Sequence, residues 1–204
     1  MSTTNELLYY IPAGQYGKEG VLALLEQHPE IKFVSLVGID LAGNDTDEKI
    51  PMSAFFDDYE SFFEGRAVQT DGSSVVLTNI ATLNNARVDM WGDPSVNWFV
   101  DYNYENIDPV TGLPTGTLRI PAFLMHNYRY VDSRSILKRS CDYVRAELLA
   151  LIKEHGLPGM PHVKADEVVD IIFTSATELE FWVKTPSRTV TKKELSVSQK
   201  LQEQ

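Results

Sequence analysis

Cysteine is nearly missing from this chain. Cys141 stands alone among 204 residues, so no disulfide can form within it, and the expected location is a reducing one, the cytoplasm. Long apolar runs are missing too. None approaches the roughly 20 residues that a membrane-spanning helix needs, and the first ten residues lack the basic start and apolar core of a secretory signal. Positive charge is scarce: 18 Lys and Arg face 29 Asp and Glu, a net charge of −11. Such a chain repels phosphate backbones and anionic headgroups, so neither nucleic acid nor a membrane surface is an expected partner. The four histidines, His28, His126, His155 and His162, show no ligand spacing. Glycine-rich phosphate loops and nucleophile elbows are absent. An acidic pocket, by contrast, would attract cations, a divalent metal or ammonium among them.

Hydrophobic residues make up 43% and charged residues 23% of the chain, ordinary values for a globular protein. Val21, Leu22, Leu24 and Leu25 lie on a helical stripe that ends before Pro29. Residues 31–37 read as a strand, 40–45 as turn chemistry, and 49–51 as a second strand. An amphipathic helix is expected over 52–63, stopping at Gly65, with further strands at 97–102 and 118–124. Several short strands with few helices make an α+β pattern rather than a regular β-α-β wind. A long helix should then start at Asp132 or Ser133 and run to about His155, with Gly156 as its stop. Its Leu137, Cys141, Val144, Leu148 and Leu151 follow 4-3-4-3 spacing and predict one buried face. Residues 166–183 read as a strand. The best domain boundary falls near His126 to Tyr130, dividing the chain into 1–128 and 129–204.

Two short segments carry the chemistry. In Glu178-Leu179-Glu180-Phe181 the two glutamates are two apart. On a strand they would share one face, with Cα atoms roughly 6–7 Å apart. Carboxylates that close repel unless a cation intervenes, and hard ions such as Mg²⁺ or Mn²⁺ favour such oxygens. The same spacing is also common on a solvated strand face. Asp71-Gly72-Ser73-Ser74 is turn chemistry. Gly supplies positive φ, and Asp bonds its own backbone. It is either an ordinary turn or a carboxylate presented to a cationic or proton-donating substrate.

Taken in order, these features resemble the glutamine synthetase family. Phe33-Val34-Ser35-Leu36 through Asp40-Leu41-Ala42-Gly43 to Ile50-Pro51 looks like its opening hairpin. Glu64-Gly65 and Asp71-Gly72-Ser73-Ser74 look like its Gly…Asp-Gly-Ser-Ser loop. Val88-Asp89-Met90 with Asp93-Pro94 is similar to its Ser-Asp-Met…Pro-Asp stretch with the last pair reversed. Asp132-Ser133-Arg134 resembles its Asp-Pro-Arg helix start, and Glu178-Leu179-Glu180-Phe181 its Glu-x-Glu-Phe strand. The resemblance covers roughly residues 31–183.

The resemblance implies a β-grasp-like N-terminal domain over 1–128, followed at 129–204 by the first helix and strand of an incomplete catalytic domain. It implies ATP-dependent ligation of ammonia to glutamate through γ-glutamyl phosphate. Glu178 and Glu180 would be ligands of Mg²⁺ or Mn²⁺. Asp71 would help bind and deprotonate ammonium, with Ser74 supporting it. The Asp71 loop would enter the site of a neighbouring identical subunit in a ring. ATP would be a co-substrate, bound mostly by residues beyond Gln204, so the 204 residues alone are expected to be inactive. Departures are Val75-Val76-Leu77-Thr78 in place of Gly-Gly-aromatic, and Ala176-Thr177 where Gly is expected. Two other readings remain. One is a stand-alone β-grasp module for oligomerisation or regulation; the other is a relative that joins glutamate to a larger amine.

Overall fold

The computed structural model of the chain describes residues 6–76, 86–176, 178 and 180. Met1–Asp170 forms one compact unit and Ile171–Gln204 a second. The first unit opens with β1 (Tyr10–Ile11) and α1 (Lys18–Glu26). Val21 and Leu25, one helical turn apart, are the buried residues of α1. The backbone N–H groups of Gln27 and His28 close its end on the carbonyls of Leu24 and Leu25, and Pro29 follows.

β2 (Ile31–Ile39) and β3 (Asp45–Pro51) form an antiparallel hairpin, with Phe33 opposite Pro51 and Ile39 opposite Asp45. β2 buries Val34, Ser35 and Leu36 in succession, as a central strand does, whereas β3 alternates. The single helix expected over 52–63 is instead α2 (Met52–Asp57) and a 3-10 turn, Glu60–Phe62. Between them Asp58 leaves helical geometry, with φ −141° and ψ 63°. The stop at Gly65 is present. Gly65 has φ +66°, and a Cβ there would lie 1.9 Å from Trp91 Nε1, so only glycine fits.

The remaining elements are β4 (Val68–Asp71), β5 (Arg87–Gly92), β6 (Trp98–Ile107), β7 (Pro114–His126), β8 (Arg129–Tyr130) and α3 (Ser133–His155). The thirteen-residue β7 organises the sheet. Its first half lies between β6 and β2, and its second half pairs with β5 and β8. β4 adds to β5. Among the described residues all pairings are antiparallel except β2 with β7. Two hairpins, β2–β3 and β6–β7, thus lie side by side through one parallel pair. This is the mixed α/β, β-grasp-like arrangement expected. The core is built from Leu36, Phe55, Phe62, Met90, Leu118, Ile120 and Leu124, all fully buried or nearly so. Gly38 serves it too: a Cβ there would lie 2.4 Å from Leu124 Cδ2. The 128/129 division falls at the turn between β7 and β8, inside the first unit, where Asn127 and Tyr128 adopt φ 48° and 62°.

Two expectations are corrected. α3 has the predicted bounds, with Asp132 as N-cap and Gly156, at φ +74°, as its stop. Its apolar stripe is not buried, however. Leu137 is 65% exposed, Val144 and Leu151 are exposed, and Cys141 and Leu148 are half-buried. The reason is a missing partner: among the described residues, the element packed along α3 is the short 3-10 turn Ala165–Glu167. The strand expected over 166–183 is not formed by its described residues either. Residues 168–176, 178 and 180 belong to no helix or strand, because no described strand offers its backbone a ladder. Residues 177, 179 and 181–183 lie outside the described residues.

Candidate functional site

The Asp71 turn is built by the sheet. Asp71 ends β4, opposite Arg87 of β5, and Gly72 N–H donates to the Ala86 carbonyl at 2.6 Å. The chain then winds into a 3-10 turn, Gly72–Ser74. Asp71 caps that turn, its Oδ1 accepting the Ser73 N–H at 2.7 Å. Asp71 and Ser74 are exposed, while Gly72 and Val75 are buried. The turn therefore stands on its apolar residues and presents its polar ones.

What fixes the far end of this turn is Asp40, a residue of the turn expected at 40–45. Asp40 follows β2 and is fully buried. Its Oδ1 accepts the N–H groups of Ala42 and Asn44, both at 2.9 Å. Its Oδ2 accepts Asn44 Nδ2 at 3.1 Å and, across 36 residues, Val76 N–H at 2.9 Å. Leu41 N–H adds a bond to the Val76 carbonyl at 3.3 Å. The β2–β3 turn and the Asp71 turn are thereby joined as one unit. Burial raises the Asp40 pKa, but hydrogen bonds from Val76, Asn44 and Ala42 outweigh it, and the net direction is down.

The Asp71 carboxylate is also held below the ordinary carboxylate range, by hydrogen bonds from the Ser73 side chain and then its backbone. Asp71 makes no ion pair among the described residues. Its neighbour across the ladder, Arg87, is taken by Asp89 at 2.6 Å. An ionised, exposed carboxylate without a cation can hold a cationic ligand. A depressed pKa makes it a weak base, since a base works best with a pKa near the operating pH. In this setting the binding half of the role expected for Asp71 is chemically available, and proton abstraction would require water to be excluded first.

Glu178 and Glu180 belong to the second unit. Both are exposed, on backbone in no regular element, so the same-face argument has no strand to stand on. Among the described residues no group of three or more His, Cys, Asp or Glu could hold a metal ion. Two exposed carboxylates do not complete an octahedral site for Mg²⁺ or Mn²⁺, and the residues present do not fit a metal centre by themselves.

Two other motifs meet in the structure. Arg134, two residues past the Asp132 cap, donates from Nη2 to Asp93 Oδ2 at 2.6 Å. Asp93 is buried, and its Oδ1 accepts Ser95 N–H at 2.9 Å and Ser95 Oγ–H at 2.5 Å. Asp132 joins sheet to helix, accepting Ser135 N–H at 2.7 Å and Leu124 N–H at 3.1 Å. The sequence signal that could have found the first of these pairs is the Asp-Pro turn after β5, followed by an arginine two residues past a helix cap.

Neither a family model nor a curated protein matches the sequence. Among solved structures, the fold is similar to a Plasmodium falciparum glutamine synthetase determined by cryo-electron microscopy. The identity is 15%, 67% of this chain and 24% of that one are covered, and the TM-score is 0.45. It is also similar to a GmaS/ADP complex, at 15% identity over 61% of this chain and 26% of that one, with a TM-score of 0.36. The chain thus spans about a quarter of the length of these structures. No helix among the described residues is long and apolar enough to cross a membrane.

Proposed function

We propose that this chain is part of an ATP-dependent ligase that joins a nitrogen nucleophile to a carboxylate. Its particular form is the N-terminal part of a glutamine synthetase, with ammonium as the nitrogen source and glutamate as the acceptor. The observation that carries the reading is the Asp71 turn: an exposed, ionised carboxylate without a cationic partner among the described residues, on a turn anchored by Asp40. The ordered sequence motifs from residue 33 to residue 181 support it.

Asp71 holds ammonium by charge, and Ser74 lies in the same turn. A neighbouring identical subunit covers the turn, excludes water and lets the carboxylate take the proton. Residues 1–128 are the β-grasp-like domain and 129–204 the opening of the catalytic domain, in a cytoplasmic enzyme. Glu178 and Glu180 contribute to a Mg²⁺ or Mn²⁺ site that other residues complete, and ATP is the co-substrate. The described residues do not by themselves form the sites of these groups.

The test is an assay of γ-glutamyl transfer with Mn²⁺. The 204-residue chain alone is expected to be inactive, and the polypeptide encoded by the whole reading frame active. Full activity from the 204 residues overturns the fragment reading. An active parent that takes amines in preference to ammonia turns the reading to an amine ligase. An inactive parent that co-purifies with a separate synthetase turns it to a regulatory module.

A further inference from the structure

A cavity beside the first turns of α3 has a volume of about 680 Å³, within the range of small-molecule sites. It is lined by Asp93, Phe123, Tyr130, Arg134, Lys138 and Arg139 together with smaller groups. Three cations against one carboxylate stand out in a chain of net charge −11. The carboxylate is already engaged: both Asp93 oxygens are hydrogen-bonded, to Ser95 and to Arg134.

Arg134 is fixed in place. One edge of its guanidinium is tied to Asp93, and its Cζ lies 4.8 Å from the centroid of the Phe123 ring. Phe123 in turn packs against Tyr130, with ring centroids 5.4 Å apart. The Nη1 group of Arg134 has no hydrogen-bond acceptor among the described residues, an unfavourable state for a buried donor. Lys138 pairs outward with Asp142, at 2.6 Å, and Asp142 is not part of the lining. Arg139 has no hydrogen bond or ion pair among the described residues. The cleft therefore has a cationic wall from α3 facing outward-available charge, and an apolar wall from β7 and β8.

We propose that this cleft binds a small organic anion of two parts. A carboxylate or phosphate meets Arg134, Lys138 and Arg139, and an aromatic or aliphatic body lies against Phe123 and Tyr130. The site is separate from the Asp71 turn in its residues and its chemistry, and it does not depend on the ligase reading. The two charges suit different ligands: Asp71 an ammonium-like cation, the cleft an anion.

Isothermal titration of the 204-residue chain with phenyl phosphate, inorganic phosphate and phenol tests the proposal. Phenyl phosphate should bind saturably with a dissociation constant of about 1 mM or tighter. Inorganic phosphate, without the apolar body, should bind at least about tenfold more weakly, and phenol should give no saturable binding. Arg139→Gln alters an exposed residue, so folding should be kept, and should weaken phenyl phosphate at least about fivefold. Arg66→Gln, a cation outside the cleft that is paired with Glu64, should change it less than about twofold. No saturation up to about 20 mM overturns the site. Equal effects of Arg139→Gln and Arg66→Gln overturn its location. Inorganic phosphate or phenol binding as well as phenyl phosphate overturns its two-part character.

Discussion

The β2–β7 centre of the sheet and the α3 helix are opposite cases of one physical rule. Both have the apolar periodicity of a buried element. In the sheet the stripe has a partner: Val34, Leu36, Leu118, Ile120 and Leu124 are all at 0% exposure. In α3, Ser135 is the buried residue, and Leu137 and Leu151 face outward. The helix forms through its caps and local propensity, Asp132 at one end and Gly156 at the other, while its stripe awaits a surface. Periodicity reports that an element is meant to be buried. It does not report that the burying partner lies within the same described residues.

The contrast can be broken most sharply at the core. Leu36→Ala should destabilise the chain by about 2–5 kcal/mol, read from the shift of a urea midpoint, because the cavity has nothing to fill it. A cost under about 1 kcal/mol would mean that the sheet centre is loosely packed. Next in size is Asp40→Ala, which strands the N–H groups of Val76, Asn44 and Ala42. It should cost about 3 kcal/mol and speed proteolysis within the 71–76 turn. The Asp40 contribution also has a pH signature. Its folded pKa lies below that of an ordinary aspartate, so the stabilisation is present above about pH 4 and is lost as pH falls through the folded value. Acid titrations of the wild type and Asp40→Asn should therefore draw together as pH falls from about 4 through the folded value; curves that stay parallel would contradict the assignment.

Asp132→Ala should cost about 1–2 kcal/mol as a lost cap, and somewhat more through the orphaned Leu124 N–H. It sharpens the comparison, because it separates the joint from the helix beyond it. Leu151→Ala should be the smallest effect, within about 0.5 kcal/mol in the 204-residue chain. A large loss there would show that the α3 stripe is covered after all.

Much of the fold was legible because its punctuation is local. Gly65, Asp132 and Gly156 each mark an end that the structure keeps. The apolar run of β2 and the turn at 40–45 were enough to read the first hairpin. β4 and β5 were not found: they are short, at four and six residues, and exist because β7 extends far enough to receive them. α2 breaks early because Phe55, Tyr59, Phe62 and Phe63 pack as an aromatic cluster that one straight helix would not form. The strand at 166–183 failed for the opposite reason, since its apolar residues propose a ladder that no described strand completes.

The candidate site was legible in part. Asp71 and Ser74 could be singled out by turn chemistry and by order along the chain. Asp40 could not be given its role, because its partner Val76 is 36 residues away. Arg134 was hidden in the same way, its partner Asp93 being 41 residues distant. Long-range bonds of this kind follow from which strands lie side by side, and no window along the sequence contains both ends.

The most direct measurement of the central claim is ammonium-dependent γ-glutamyl synthesis by the polypeptide that contains this chain, compared with its Asp71→Asn variant at saturating glutamate and ATP. The expected result is a fall of about 10²–10⁴ in kcat/KM for ammonium, with the KM for glutamate changed less than about twofold. Unchanged ammonium kinetics in an otherwise folded Asp71→Asn enzyme would contradict it.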